Sequence, residues 1–115
     1  MPDYGHDLLF GCFLPPLAER SAEVVRLAVR AERVGLDLVS IQDHPYQPAF
    51  LDTWTLLSVI AARTDRVRVL PNVANLPLRP PAVLARAAAS SSGTWSGRSA
   101  TGNWKPGRPG PRCTR

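Results

Sequence analysis

The chain has no G-x-G-x-x-G turn, no phosphate-binding P-loop and no serine nucleophile elbow. The common glycine-rich nucleotide cradles and the hydrolases built around an elbow serine are therefore excluded. Cysteine is scarce: Cys12 and Cys113 stand near opposite ends. Two distant cysteines without a secretory signal do not make a disulfide framework. Cys12 lies in an apolar run and reads as a small core residue, whereas Cys113 reads as an exposed thiol. No stretch approaches the roughly 18 apolar residues that span a membrane. Asp3, His6 and Asp7 ahead of a short apolar run do not make a signal peptide. The expectation is a cytoplasmic protein with no membrane partner. His6 and His44 have no partners at ligand spacing, so no metal site is implied.

Charge of one sign is missing from the end of the chain. Residues 91–115 hold four Arg, one Lys and no acid, and no Leu, Ile, Val, Met or Phe. Residues 1–90 hold nine Arg and nine Asp or Glu, so the whole net charge of +5 lies in the tail. A basic tail can bind nucleic acid or an anionic surface. The plainer reading is a disordered Gly/Pro/Ser-rich segment, because this composition cannot bury enough apolar surface to offset chain entropy. Residues 1–90 form the expected domain, and residues 91–115 the tail.

What is present before the tail alternates regularly. Asp7–Leu14 is an apolar run closed by Pro15-Pro16, and it reads as a strand buried on both faces, with Gly11 marking a bend or a close backbone approach. Glu19–Val34 reads as a helix whose stripe is Val24, Val25, Leu27, Ala28, Ala31 and Val34, stopped by Gly35. Asp37–Gln42 is a second strand. Asp52 is a good N-cap for a helix over Thr53–Arg63, with Trp54, Leu57, Ile60 and Ala61 on one side. Val67–Leu70 is a third strand, and Ala82–Ala89 begins a third helix with Pro80-Pro81 in its first turn. Units of about 30 residues, each an apolar strand followed by an amphipathic helix, predict a parallel sheet covered by helices.

Ligands in parallel α/β proteins bind at the C-terminal ends of strands. Three such ends are legible: Leu14-Pro15-Pro16, Gln42-Asp43-His44 and Asn72-Val73-Ala74-Asn75. Asp43 and His44 are an adjacent acid–imidazole pair placed at one of these strand ends. An imidazole titrates near neutral pH and can move a proton or hydrogen-bond an electron-rich ring. On spacing alone the plainer alternative is favoured, with Asp43 capping the turn before Pro45 and His44 a solvated loop residue. Asn72 and Asn75 suit reading amide or carbonyl edges, or ordinary turn chemistry. Tyr46, Phe50 and Trp54 would wall a flat aromatic ligand or pack the loop onto the second helix.

Taken together, the residues resemble the luciferase-like flavin-dependent oxidoreductase family. The matching text is Ala31-Glu32-Arg33-Val34-Gly35-Leu36-Asp37, then Gln42-Asp43-His44-Pro45-Tyr46-Gln47-Pro48, and then Leu51-Asp52-Thr53-Trp54-Thr55-Leu56-Leu57. It goes on through Ala61-Ala62-Arg63-Thr64 and Val67-Arg68-Val69 to Asn75-Leu76-Pro77-Leu78-Arg79-Pro80-Pro81-Ala82-Val83-Leu84-Ala85-Arg86. The resemblance covers about residues 7–90. It implies an α/β fold made of the first three βα units of a TIM (β/α)8 barrel, with FMN or coenzyme F420 as cofactor and monooxygenase or hydride-transfer chemistry on a small-molecule substrate. It makes His44 the catalytic residue over the flavin's reactive centre, with Asp43 supporting it as a cofactor-binding residue. Asn72, Val73 and Ala74 become the cofactor-binding bulge under the isoalloxazine ring, with a non-prolyl cis peptide expected at Val73–Ala74.

After Ser90 the text departs from the pattern that the resemblance implies, which continues into a Gly-rich fourth strand; the simplest expectation is a frameshift in a GC-rich gene, with a real terminus as the alternative. Eight units need roughly 250 residues, so the expectation is a fragment that is inactive alone. The alternatives are a non-catalytic α/β module whose basic tail holds an anionic partner, and a subunit that completes its barrel with another chain. A steep salt dependence of DNA or lipid binding, lost on deleting residues 91–115, is the expected result for the non-catalytic module. Silence in gel shifts at low salt removes it.

Overall fold

An apolar run becomes a strand only where a neighbour can take its backbone hydrogen bonds. The computed structural model describes Gly5 and residues 7–93, and within them three runs meet that condition. They are β1 (Gly11–Phe13), β2 (Leu38–Ile41) and β3 (Arg68–Pro71), parallel and in the order β1-β2-β3. The register pairs Cys12 with Val39 and Val39 with Val69. Between the strands lie a 3₁₀ turn at Ala18–Arg20, helix α1 (Ser21–Arg33) and helix α2 (Thr53–Ala61). A second 3₁₀ turn at Leu76–Leu78 precedes helix α3 (Pro81–Gly93). No helix among the described residues is long and apolar enough to cross a membrane.

Side chains alternate across a strand, and the helices cover one face. Val39 and Ile41 of β2 are wholly buried against Val24, Ala28 and Ala31 of α1 and Leu56, Leu57 and Ile60 of α2. Cys12 and Val69 flank them in register, packed against the same core. Burial pushes the Cys12 thiol pKa up, as suits a small core residue. The other face carries Phe13, Ser40 and Leu70, and Phe13 remains 48% exposed.

This one-sided layering corrects two expectations. The first run is not buried on both faces: Leu8, Leu9 and Phe10 are exposed, and the strand starts only at Gly11. The α1 stripe is narrower than its periodicity suggests, because Leu27 and Val34 lie outside the contact with the sheet and stay exposed. The third helix also runs past Ala89 to Gly93, with the Ser90 and Ser91 hydroxyls donating to the carbonyls of Arg86 and Ala87 at 2.7 and 3.0 Å. Residues 94–115 of the basic tail lie outside the described residues.

Local chemistry sets the ends. Gly35, at φ +95°, closes α1: its N–H donates to the Glu32 carbonyl at 3.1 Å, and that of Leu36 to the Ala31 carbonyl at 3.0 Å. The Asp52 carboxylate caps α2 by accepting from the Thr55 N–H at 2.9 Å, as its sequence position predicts. The Glu32 carboxylate accepts from the backbone N–H groups of Asp65, Arg66 and Val67 at 2.9, 2.6 and 2.8 Å, fixing the turn that feeds β3. Burial alone would raise its pKa, but these bonds and the Arg66 charge outweigh it and hold the group below the usual carboxylate range.

Gly11 is the close approach that its position suggests. A Cβ there would stand 2.6 Å from Leu38 Cβ and 2.7 Å from the Leu38 carbonyl oxygen. Gly11→Ala is therefore expected to cost about 1–3 kcal/mol as overpacking and to lower the thermal midpoint by roughly 4–8 °C per kcal/mol. A midpoint equal to that of the wild type in a thermal melt would show that β1 and β2 can separate freely.

Candidate functional site

Parallel pairing puts the C-terminal ends of β1, β2 and β3 on one edge. The Asn72 N–H donates to the Ile41 carbonyl at 2.7 Å, so residues 42–44 and 72–74 leave the sheet side by side. The β2–α2 loop is then tied to the β1–α1 loop. Leu17 bridges Phe50, the Ala18 N–H reaches the Ala49 carbonyl at 2.9 Å, and the Leu51 N–H reaches that of Pro16 at 2.8 Å.

Within this edge, Asp43 and His44 go separate ways. Asp43 is 1% exposed. Its carboxylate receives a two-pronged bond from the Arg79 guanidinium, Nε to Oδ2 and Nη2 to Oδ1, both at 2.8 Å. Oδ2 also accepts from the Asn75 backbone N–H at 3.0 Å. Arg79 Nη2 donates in addition to Asp52 Oδ1 at 2.7 Å, while Asp52 Oδ2 takes the Thr55 amide and hydroxyl. One cation thus lies between two carboxylates from different elements. Fork-shaped Arg–carboxylate pairs of this kind are strong and geometrically specific.

The same contacts set the titration of the cluster. The Arg79 hydrogen bond, outweighing desolvation, holds the Asp43 carboxyl below the usual carboxylate range. For Asp52 burial acts upward, and the bonds from Arg79 and Thr55 overcome it to give a lowered pKa. Arg79 is raised in turn, first by its bond to Asp43.

His44 is half-buried beside aromatic rings. Its imidazole stacks on Tyr46 with centroids 5.4 Å apart and planes at 20°, and Phe50 sits 6.3 Å away at 33°. The His44 carbonyl accepts from the Gln47 N–H at 2.9 Å, closing a turn over Pro45-Tyr46. Tyr46 is 64% exposed. At the end of β3 the cis peptide bond joins Asn72 and Val73, one residue before the expected Val73–Ala74. The ladder bond of the Asn72 N–H ends the strand there, so the chain turns immediately after it. Val73 is 73% exposed.

The structure therefore brings His44, Asp43 and the Asn72–Ala74 segment to one edge and joins Tyr46 and Phe50 to them. Trp54 does not join. It lines a separate cavity of about 480 Å³ between α2, β3 and α3, and its Nε1 is buried with no partner among the described residues. Asn75 serves the turn, its Oδ1 accepting from the Leu78 N–H at 3.3 Å. Arg79 is the residue that the sequence reading passed over. Its signal was weak, a lone arginine at the end of a loop before two prolines, 36 positions from its main partner.

Asp43→Asn would leave the Arg79 charge incompletely paired in a buried site, at an expected cost of about 3–5 kcal/mol in urea unfolding at pH 7. The folded pKa of Asp43 lies below its unfolded value of about 3.9. Its contribution is therefore complete above that value and lost as pH falls through the folded pKa. The wild type should lose more stability between pH 7 and pH 3 than Asp43→Asn, and parallel acid profiles would refute the assignment.

The family profile of luciferase-like monooxygenases matches residues 8–102, which contains nearly all of the stretch 7–90 expected from the sequence and extends past Ser90. The coenzyme F420-dependent tetrahydromethanopterin reductase from Methanopyrus kandleri superimposes with a TM-score of 0.69 at 23% identity, over 79% of this chain and 25% of that one. This chain thus spans about a quarter of that reductase's length. The likeness at this identity is one of fold. No curated protein matches the chain. The three parallel βα units are those of a luciferase-type TIM barrel, and the chain belongs to the luciferase-like monooxygenase family.

Proposed function

We propose that this chain carries one wall of a flavin site, for FMN or coenzyme F420, in an oxidoreductase of the monooxygenase type. The carrying observation is the His44 imidazole, set beside Tyr46 at the end of β2 and next to the strand end at Asn72–Ala74. The residues suit a planar, partly apolar ring system. An aromatic ring and an aliphatic side chain, Tyr46 and Val73, stand exposed at the strand ends, while the charges of Asp43 and Arg79 are occupied with each other. A bound flavin or deazaflavin would supply the two-electron chemistry, passing electrons to oxygen or to a small organic substrate.

The protein's own contribution is then positional and protonic. His44 would donate or accept a hydrogen bond at the ring's reactive edge and serve there as a proton donor or acceptor. The backbone of Asn72, Val73 and Ala74 would support the ring from below. Asp43 supports His44 from the neighbouring position without presenting a free oxygen of its own.

The chain by itself is proposed to be inactive. Phe13 remains exposed on the face opposite the helices, so among the described residues nothing excludes water from a bound ring. Titration of FMN and F420 into the isotopically labelled chain is expected to shift the amides of residues 42–44, 46 and 72–75, weakly and without turnover of reduced cofactor. His44→Ala should diminish those shifts. Shifts confined to other residues would overturn the site, and micromolar affinity with turnover would overturn the inactivity.

A further inference from the structure

We propose that Arg79 is the positioning residue of this strand-end site. Its guanidinium holds the loop 72–79 against Asp43 and Asp52, and so sets the Asn72–Ala74 backbone and the His44 imidazole relative to each other. The assignment of a cofactor to that edge rests on the function proposed above; the hold itself rests on geometry alone.

Three pins fix the loop. It is tied at its start by the Asn72 N–H on the Ile41 carbonyl, in its middle by the Asn75 N–H on Asp43 Oδ2, and at its end by Arg79 on both carboxylates. The middle and end pins share one carboxylate, that of Asp43. Between the first two pins stand only Val73 and Ala74, and Val73 is the exposed one. The pins therefore define a two-residue shelf. Asp43 is also the residue before His44, so the bonds that fix its carboxylate fix the backbone that carries the imidazole.

The chemistry calls for arginine. Nε and Nη2 meet the two oxygens of Asp43 in parallel while Nη2 also reaches Asp52. An ammonium is a point donor and cannot reproduce that fork. The pair is shielded, with the Arg79 side chain 18% exposed and that of Asp43 at 0%, so solvent screens it little. Both Asp43 oxygens are taken, and its influence on a ligand must pass through the loop it holds.

The experiment compares the whole chain with Arg79→Met and Arg79→Lys by NMR. Two readings are taken, amide exchange at Asn75 and the chemical shifts of the His44 ring protons, with His6→Gln used to separate the second histidine. The amides of Asp65–Val67, held by Glu32 at the other end of β3, serve as an internal reference. Arg79→Met is expected to speed exchange at Asn75 by at least about tenfold relative to that reference and to displace the His44 ring-proton chemical shifts. Arg79→Lys should restore neither fully. Wild-type exchange and unmoved His44 ring-proton shifts in Arg79→Met overturn the proposal, as does full rescue by lysine. Loss of cooperative folding in both variants also overturns it, since Arg79 would then be a general structural residue. Absence of cofactor binding by the wild type counts against the proposed function only, because neither reading requires a cofactor.

Discussion

Between the ends of β2 and β3 one guanidinium faces two carboxylates, and the geometry of the whole edge follows from that balance. Asp43 is too buried to remain charged without a partner, and Arg79 supplies it from 36 residues downstream. Asp52 adds a second carboxylate while capping α2, so a strand end, a helix start and a loop share one electrostatic unit. The imidazole of His44 is left outside this unit, free of the salt bridge and stacked on an aromatic ring.

A similar device works at the other end of β3. There Glu32, at the C-terminal end of α1, takes three successive backbone N–H groups and fixes where the strand begins. β3 is thus located by two carboxylates from earlier elements, one at each end. Such bonds are directional, whereas the burial of Val39, Ile41, Leu57 and Ile60 is not. The apolar contacts hold the layers together, and the carboxylates decide the register of what emerges from them.

The layering explains the exposed apolar residues. In a luciferase-type barrel both faces of each strand are occupied, one by helices and one by the barrel interior. Among the described residues only the helical side is covered, and Phe13 on the other face stays open to solvent. The continuous apolar text of the first run is the text of a two-sided strand, while the three-stranded sheet satisfies one side of it.

The strand–helix alternation, the Asp52 cap, the Gly35 stop and the close approach at Gly11 were all legible in the sequence. Each depends on a residue's own backbone preference or on neighbours within a few positions. The strand ends were legible too, because proline and polar residues interrupt the apolar runs. The partners of Asp43 were not legible, nor was the separation of Trp54 from Tyr46 and Phe50. Both depend on which residues meet across the edge once the parallel register is set. The sequence by itself determined the kinds of elements and the edge where chemistry could gather. Only the tertiary structure decided that Asp43 turns inward to Arg79 while His44 faces its ring partners, because a buried carboxylate must find a cation and only the folded sheet brings that one within reach.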